Sequence, residues 1–331
     1  MIDVEVTPYE ERHAATQVDL QARAFTVVAE SARPTDSAAW LHHFHGPANP
    51  AGRALIALAR EGEQVVGSAS AIAARFRRPD GRVLVGWQVG TFVVDAAQQR
   101  KGIGSKLLVA LTEALEERTD DFVYSYPNSR SIPVFDRHGY DRHGRTPTRI
   151  FLPAAGPGRA WELRVVERDE AAALAAEADG AAAGGTAGEP SGFVRDAPYF
   201  RWRFCAPEAG DRYRFVEARE RDGDGRFVLA LASHRFAGLS FGVLADTCPA
   251  LSGPRLGVAV RAALAAGRSA GAWLLYATTS LDGDARAPWR VPVPESRDPR
   301  PVVLVMPRTT DGTLAREVAT SAVATADWGG F

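Results

Sequence analysis

The first half of the chain switches repeatedly between helical and extended patterning. Residues 8–30 place Ala14, Val18, Leu20, Ala24 and Phe25 at rough helical spacing. Residues 52–60 carry a short apolar run. Residues 64–77 (QVVGSASAIAARFR) and 82–95 (RVLVGWQVGTFVVD) read as strands, rich in β-branched residues, around the turn Pro79-Asp80-Gly81. Residues 102–118 predict an amphipathic helix whose apolar stripe is Ile103, Leu107, Leu108, Leu111 and Leu115. A strand over 121–126 and a short helix over 129–138 follow, the helix ended by Gly139. The order strand–strand–helix–strand–helix–strand is a mixed α/β layout.

Residues 153–160 (PAAGPGRA) read as a linker, and 170–191 as an Ala-rich helix that gives way to a Gly/Ala/Ser loop. Strands are expected over 212–219, 226–232, 236–246, 271–277 and 301–306, with a helix over 256–268. Strand, Val93-Val94-Asp95, loop, helix and strand in the first half are echoed by strand, Leu244-Ala245-Asp246, loop, helix and strand in the second. The expected division is two similar domains, 1–152 and 160–331, each with a mixed α/β sheet.

Composition narrows the function classes. Of 331 residues, 46% are hydrophobic and 24% charged, which suits a folded globular chain. The net charge of −1 supplies no basic field for nucleic acid, so no nucleic-acid partner is expected. No apolar run is long enough to span a membrane, and the polar N-terminus lacks the pattern of a secretory signal, so a cytoplasmic protein without membrane partners is expected. Two cysteines, Cys205 and Cys248, make neither a disulfide framework nor a four-ligand zinc site, and no metal is expected. Only Lys101 and Lys106 are lysines; the arginine, alanine and glycine bias suggests a GC-rich bacterial source.

One segment carries chemistry: Val93-Val94-Asp95-Ala96-Ala97-Gln98-Gln99-Arg100-Lys101-Gly102-Ile103-Gly104-Ser105-Lys106. It reads as a buried strand, a polar turn and a helix with two glycines in its first turn. Amides at a helix start lack intrahelical acceptors and form an anion-binding nest. Glycines there let a phosphate approach closely, and Arg100, Lys101 and Lys106 add positive charge. The spacing fits neither G-x-x-x-x-G-K-[ST] nor G-x-G-x-x-G, since position 107 is Leu. Gln99-x-x-Gly102-x-Gly104 after a strand ending Val-Val resembles the coenzyme A pyrophosphate motif of the GCN5-related N-acetyltransferase (GNAT) superfamily. Tyr126-Pro127-Asn128, Phe135 and Gly139-Tyr140 resemble that family's next motif.

The resemblance covers about residues 60–145 and implies the GNAT fold, with a degenerate second lobe. It implies that the backbone of Phe92, Val93 and Val94 lies beside the pantetheine arm. The amides of Arg100, Lys101, Gly102, Ile103, Gly104 and Ser105 would hold the pyrophosphate, with Gln99, Asn128 and Phe135 also on the cofactor side. Acetyl-CoA or another acyl-CoA is then the co-substrate, and the partner a small-molecule amine acylated by direct transfer in a ternary complex. A monomer or homodimer is expected. The sequence departs from the family at two places: the usual acid position is Phe135, which donates no proton, and a base position is Val123. Proximity alone, a substitute such as Tyr126, Tyr124 or Tyr140, or a catalytically inactive acyl-CoA-binding regulatory or scaffold protein each account for that. His42, His43 and His45 read as loop histidines or acceptor contacts. Trp40, Trp87 and Gln88 are further candidates for the acceptor pocket. Phe193 to Phe204 resembles a segment joining the lobes of some tandem GNAT proteins, its aromatics expected between the lobes. The second-lobe loop Thr247–Pro254 contains two prolines in place of the glycine motif, so no second coenzyme A site is expected.

Overall fold

The structure, a computed structural model, describes residues 2–24, 48–117, 122–127, 131–145, 148–152, 157–183, 192–207, 212–236, 239–251, 253–269, 271–272, 274–278, 290–292, 302–305 and 312–320. Contacts divide the chain into two units, one of residues 1–145 with 301–320, the other of 146–300 with 321–331.

The first unit opens with strand β1 (Ile2–Pro8) and helix α1 (Arg12–Ala24). Strands β2 (Leu55–Glu61), β3 (Gln64–Arg77) and β4 (Val83–Val94) form an antiparallel meander. Helix α2 (Ile103–Glu116) leads to β5 (Phe122–Ser125), then α3 (Ile132–Arg137) and β6 (Asp141–Arg145). The sheet runs β1-β2-β3-β4-β5-β15-β6, where β15 (Val302–Val305) comes from the far end of the chain. The stripe on α2 buries Ile103, Leu107, Leu108, Leu111 and Leu115, as its spacing predicts. They pack on Ala57, Ala59, Val66, Ala69 and Val89, a sheet face of small and β-branched residues. Gly67 allows this approach: a Cβ there would lie 2.9 Å from Ile103 Cγ2. Helix α1 covers the opposite face, where Leu20 and Ala24 meet Ile56, Leu58 and Val93. Its buried side differs from the sequence expectation, holding His13 and Gln17 while Val18 is half-buried. Local partners make that tolerable: Tyr9 Oη donates to Gln17 Oε1 at 3.0 Å, and the Glu10 amide donates to His13 Nδ1 at 3.0 Å.

The second unit contains β7 (Thr148–Phe151), β8 (Trp161–Val166), helix α4 (Arg168–Ala183) and the two-residue β9 (Gly192–Phe193). Helix α5 (Ala197–Phe200) continues into a π turn over Arg201–Cys205. Then come β10 (Tyr213–Glu220), β11 (Arg226–Phe236), β12 (Leu239–Cys248), α6 (Gly253–Ser269), β13 (Leu274–Thr278) and β14 (Arg290–Pro292). The sheet order β8-β10-β11-β12-β13-β7-β14 repeats that of the first unit. In both, antiparallel pairs give way to one parallel pair, β4–β5 and β12–β13.

The division differs from one at 152/160 because two short strands change places. β7 pairs with β13 and β14, whereas β15 lies between β5 and β6. Helix α7 (Gly312–Thr320) accompanies β15, and Glu317 accepts two bonds from Arg78, at 3.0 and 3.2 Å. In the Phe193–Phe204 segment, Phe200 and Phe204 pack inside the second unit, against Val166, Leu174, Phe215 and Val228.

The parallel pair in the first unit depends on Gly86. A Cβ at this residue would lie 2.4 Å from the ring of Phe122, itself fully buried and edge-on to Phe76. Gly86→Ala should therefore lower stability by about 1–3 kcal/mol through overpacking, read as a shift in the denaturant midpoint. A midpoint equal to wild type would show that the ring moves aside freely.

Candidate functional site

The pairing of β4 and β5 stops abruptly. Gly86, Trp87 and Gln88 face Phe122, Val123 and Tyr124, and beyond them β4 continues to Val94 without a rung to β5. Val89 and its successors remain paired to β3 on the other side. Two adjacent parallel strands thus part, leaving a strand edge whose backbone groups can pair with an extended ligand.

The end of that edge leads into the loop before α2. The Asp95 amide donates to Val66 O at 2.9 Å, and its Oδ1 accepts the Ala97 amide at 3.0 Å, shaping a short 3-10 turn over Ala96–Gln98. Gln99 Nε2 donates back to Val94 O at 3.2 Å. Arg100 has φ +65° and Gly102 φ +81°, left-handed conformations that bracket Lys101. Such alternation turns successive amides toward one side. The first intrahelical bond from this end runs from the Lys106 amide to Gly102 O, 3.1 Å, and no side chain caps the helix start. No acidic residue occupies the first turn.

Gly104 tests what this start is built for. A Cβ added there meets nothing within 4 Å, and its φ is not left-handed. Glycine inside a helix costs about 1 kcal/mol relative to alanine. Neither packing nor backbone geometry within the protein calls for it. Open space at a helix start whose first amides lack intrahelical acceptors fits a pyrophosphate, so these residues suit coenzyme A; the Lys101 and Lys106 ammoniums bond Gln98 Oε1 and Ile2 O.

The other predicted residues are distributed unevenly. Phe92 is half-buried and Val93 buried, both on β4. Phe135 is only 1% exposed and sits edge-on to Phe92 (5.5 Å) and Tyr140 (5.0 Å). Its ring is packed in the first unit's core. Trp87 is likewise core, at 3% exposed, because strand alternation puts it with Val85 and Val89 on the α2 face. Tyr124 is 2% exposed and stacks between Phe122 and Tyr126. Tyr126 is half-buried, one residue past β5. Tyr140 shares a 3.1 Å hydrogen bond with Thr112 of α2, and burial pushes its phenol up to about 12. Cys205 and Cys248 are buried, and burial raises both thiols, Cys205 to about 12, which suits packing rather than nucleophilic work. Asn128, Trp40, His42, His43 and His45 lie outside the described residues.

The corresponding loop of the second unit is closed on itself. The Thr247 amide donates to Asp246 Oδ1 at 2.8 Å, and Thr247 Oγ1 to Pro249 O at 3.0 Å. Among the described residues no group of three metal-ligating side chains occurs, and no helix is long and apolar enough to cross a membrane.

The first unit thus joins a parting parallel pair to an uncapped, glycine-bearing helix start. Residues 5–143 match the family described as acetyltransferase (GNAT) domain. The chain carries a GNAT acetyltransferase domain over those residues. A GCN5-related N-acetyltransferase from Kribbella flavida is 18% identical, aligns over 92% of this chain and 71% of its own, and has a TM-score of 0.58. One from Anabaena variabilis is 12% identical over 92% of this chain and 72% of its own, with a TM-score of 0.62. A tandem GNAT protein from the clavulanic acid biosynthesis pathway is 16% identical over 93% of this chain and 100% of its own, with a TM-score of 0.56. At these identities the likeness is one of fold. No curated protein sequence matches the chain.

Proposed function

We propose that the protein is an acyl-CoA-dependent N-acyltransferase that passes an acetyl group directly to a small-molecule amine in a ternary complex. The observation that carries this is the open cradle at Gly102–Ser105, continuous with the unpaired edge of β4. Acetyl-CoA supplies an activated acyl group and a good leaving thiolate. The amides of Arg100 to Ser105 hold the pyrophosphate, and the backbone of Phe92, Val93 and Val94 orients the pantetheine. With donor and amine fixed side by side, proximity provides much of the acceleration. Tyr126, at the end of β5 where the strands part, is the tyrosine assigned to protonate the leaving thiolate.

A second reading rests on Phe135 and Val123. Both are 1% exposed and apolar at positions where the family resemblance implies an acid and a base, which suits a protein that binds acyl-CoA without turning it over. Calorimetric titration with acetyl-CoA, followed by thiol release against a panel of amines, separates the two. Binding at one site per chain with amine-dependent release supports the transferase, and binding without release supports the sensor. Absence of binding overturns both. Tyr126→Phe should slow release without weakening binding; an unchanged rate returns the proton to water.

A further inference from the structure

We propose that Ser70, Thr91 and Ser125 are positioning residues: a hydroxyl clamp that holds residues 89–92 of β4 in the conformation that aligns the acyl thioester. This rests on the donor site proposed above.

The stretch is irregular at the place where β5 departs. Ser70 pairs with Gly90 and Ser68 with Val93, so β4 takes three steps while β3 takes two. Such a bulge bends a strand and re-aims the groups beside it. Thr91 lies in the bulge with φ +50°. A β-branched residue in the left-handed region is sterically disfavoured, and glycine would avoid the cost. The hydroxyl of Thr91 has a use that glycine could not serve: it hydrogen-bonds the hydroxyl of Ser70, fully buried on β3. From the other side Ser125, the last residue of β5, donates its Oγ to Val89 O at 2.7 Å. It is 1% exposed and occupies the position just past the final rung, Gln88 opposite Tyr124. Side chains from both neighbours thus grip β4 where one backbone ladder has ended and the other is interrupted.

A strand edge that must receive a thioester arm has to be fixed before the donor arrives. Preorganised dipoles give their full effect only when they need not move, and a misplacement of about 1 Å costs up to about 100-fold in rate. Two hydroxyl bonds, one buried and one part-buried, supply that rigidity without closing the edge.

The test uses acetyl-CoA labelled with carbon-13 at the acetyl carbonyl, bound to the full chain and read by difference infrared spectroscopy. Wild type should give a narrow carbonyl band shifted down from that of free acetyl-CoA. In Thr91→Gly, which keeps the backbone conformation accessible but unclamped, the band should broaden and return toward the free position. CoA affinity, measured in parallel, should stay at the wild-type value, because the pyrophosphate cradle is separate. Thr91→Ser should restore the band, and Ser70→Ala should reproduce the loss in a milder background. Wild-type bands in Thr91→Gly and Ser70→Ala, with CoA bound normally, would overturn the clamp alone. A wild-type chain that binds no CoA would overturn the clamp together with the donor site.

Discussion

Gly104→Asp should abolish acetyl-CoA binding at concentrations that saturate wild type, a loss of at least about 100-fold, while leaving the free protein as stable as before or slightly more so. The two halves of this expectation have different causes. A Cβ at position 104 meets nothing within 4 Å, so the fold should accommodate a short side chain. Aspartate near a helix N-terminus also interacts favourably with the helix dipole, by about 0.3–1 kcal/mol, and replaces a glycine that helices disfavour. Bound pyrophosphate would meet the new carboxylate inside the same cradle. Steric exclusion and like-charge repulsion of about 2.7 kcal/mol together already amount to 100-fold. Calorimetric titration and a thermal melt read the two effects separately. Unchanged affinity would show that the pyrophosphate does not lie over Gly104. Lost affinity with a lower melting point would point to a damaged helix rather than a blocked site. Gly104→Ala, which adds bulk without charge, should fall between.

The glycine-bearing start of α2 was legible in the sequence because it is local. Gln99, Gly102 and Gly104 lie within one loop and one helical turn. The α2 stripe and the limits of β3 were legible for the same reason, since both follow from the periodicity of one uninterrupted element. Features that depend on pairing were not. Strand β1 alternates half-buried Ile2, Val4 and Val6 with exposed Asp3 and Glu5, which reads as a polar terminus until β2 is seen beside it. Four-residue strands such as Thr148–Phe151 and Val302–Val305 carry no mark of which sheet they join. Ser70, Thr91 and Ser125 are scattered over 56 positions and meet only after three strands align. The burial of Trp87 follows from its register on β4, which residue type alone does not give.

The second unit shows what becomes of the same loop when its polar groups are spent internally, and Asp246→Ala is the change that should expose this. Asp246 and Arg195 form an ion pair at 3.0 Å with side chains 6% and 5% exposed. The Tyr199 hydroxyl donates to Asp246 Oδ2 at 3.2 Å, and the Arg195 guanidinium lies 4.7 Å from the Tyr199 ring centroid. Removing one partner of such a buried pair costs about 3–5 kcal/mol, because the other charge stays in a poorly solvated place. Asp246→Asn keeps one acceptor oxygen, enough for the Thr247 amide, and its NH2 can donate to the tyrosine oxygen, so it should cost less. The first-unit counterpart is more open: Asp95 lies 3.5 Å from Arg23 and caps an exposed turn, so Asp95→Ala should cost about 1 kcal/mol, the usual value of a cap. Two units need not unfold together, so hydrogen exchange of individual amides is the proper reading. Protection in β10, β11 and β12 should collapse in Asp246→Ala while that in β2, β3 and β4 persists. Retained protection in β12 would mean that Arg195 finds a second anion, and that the second loop is closed by something other than its own carboxylate.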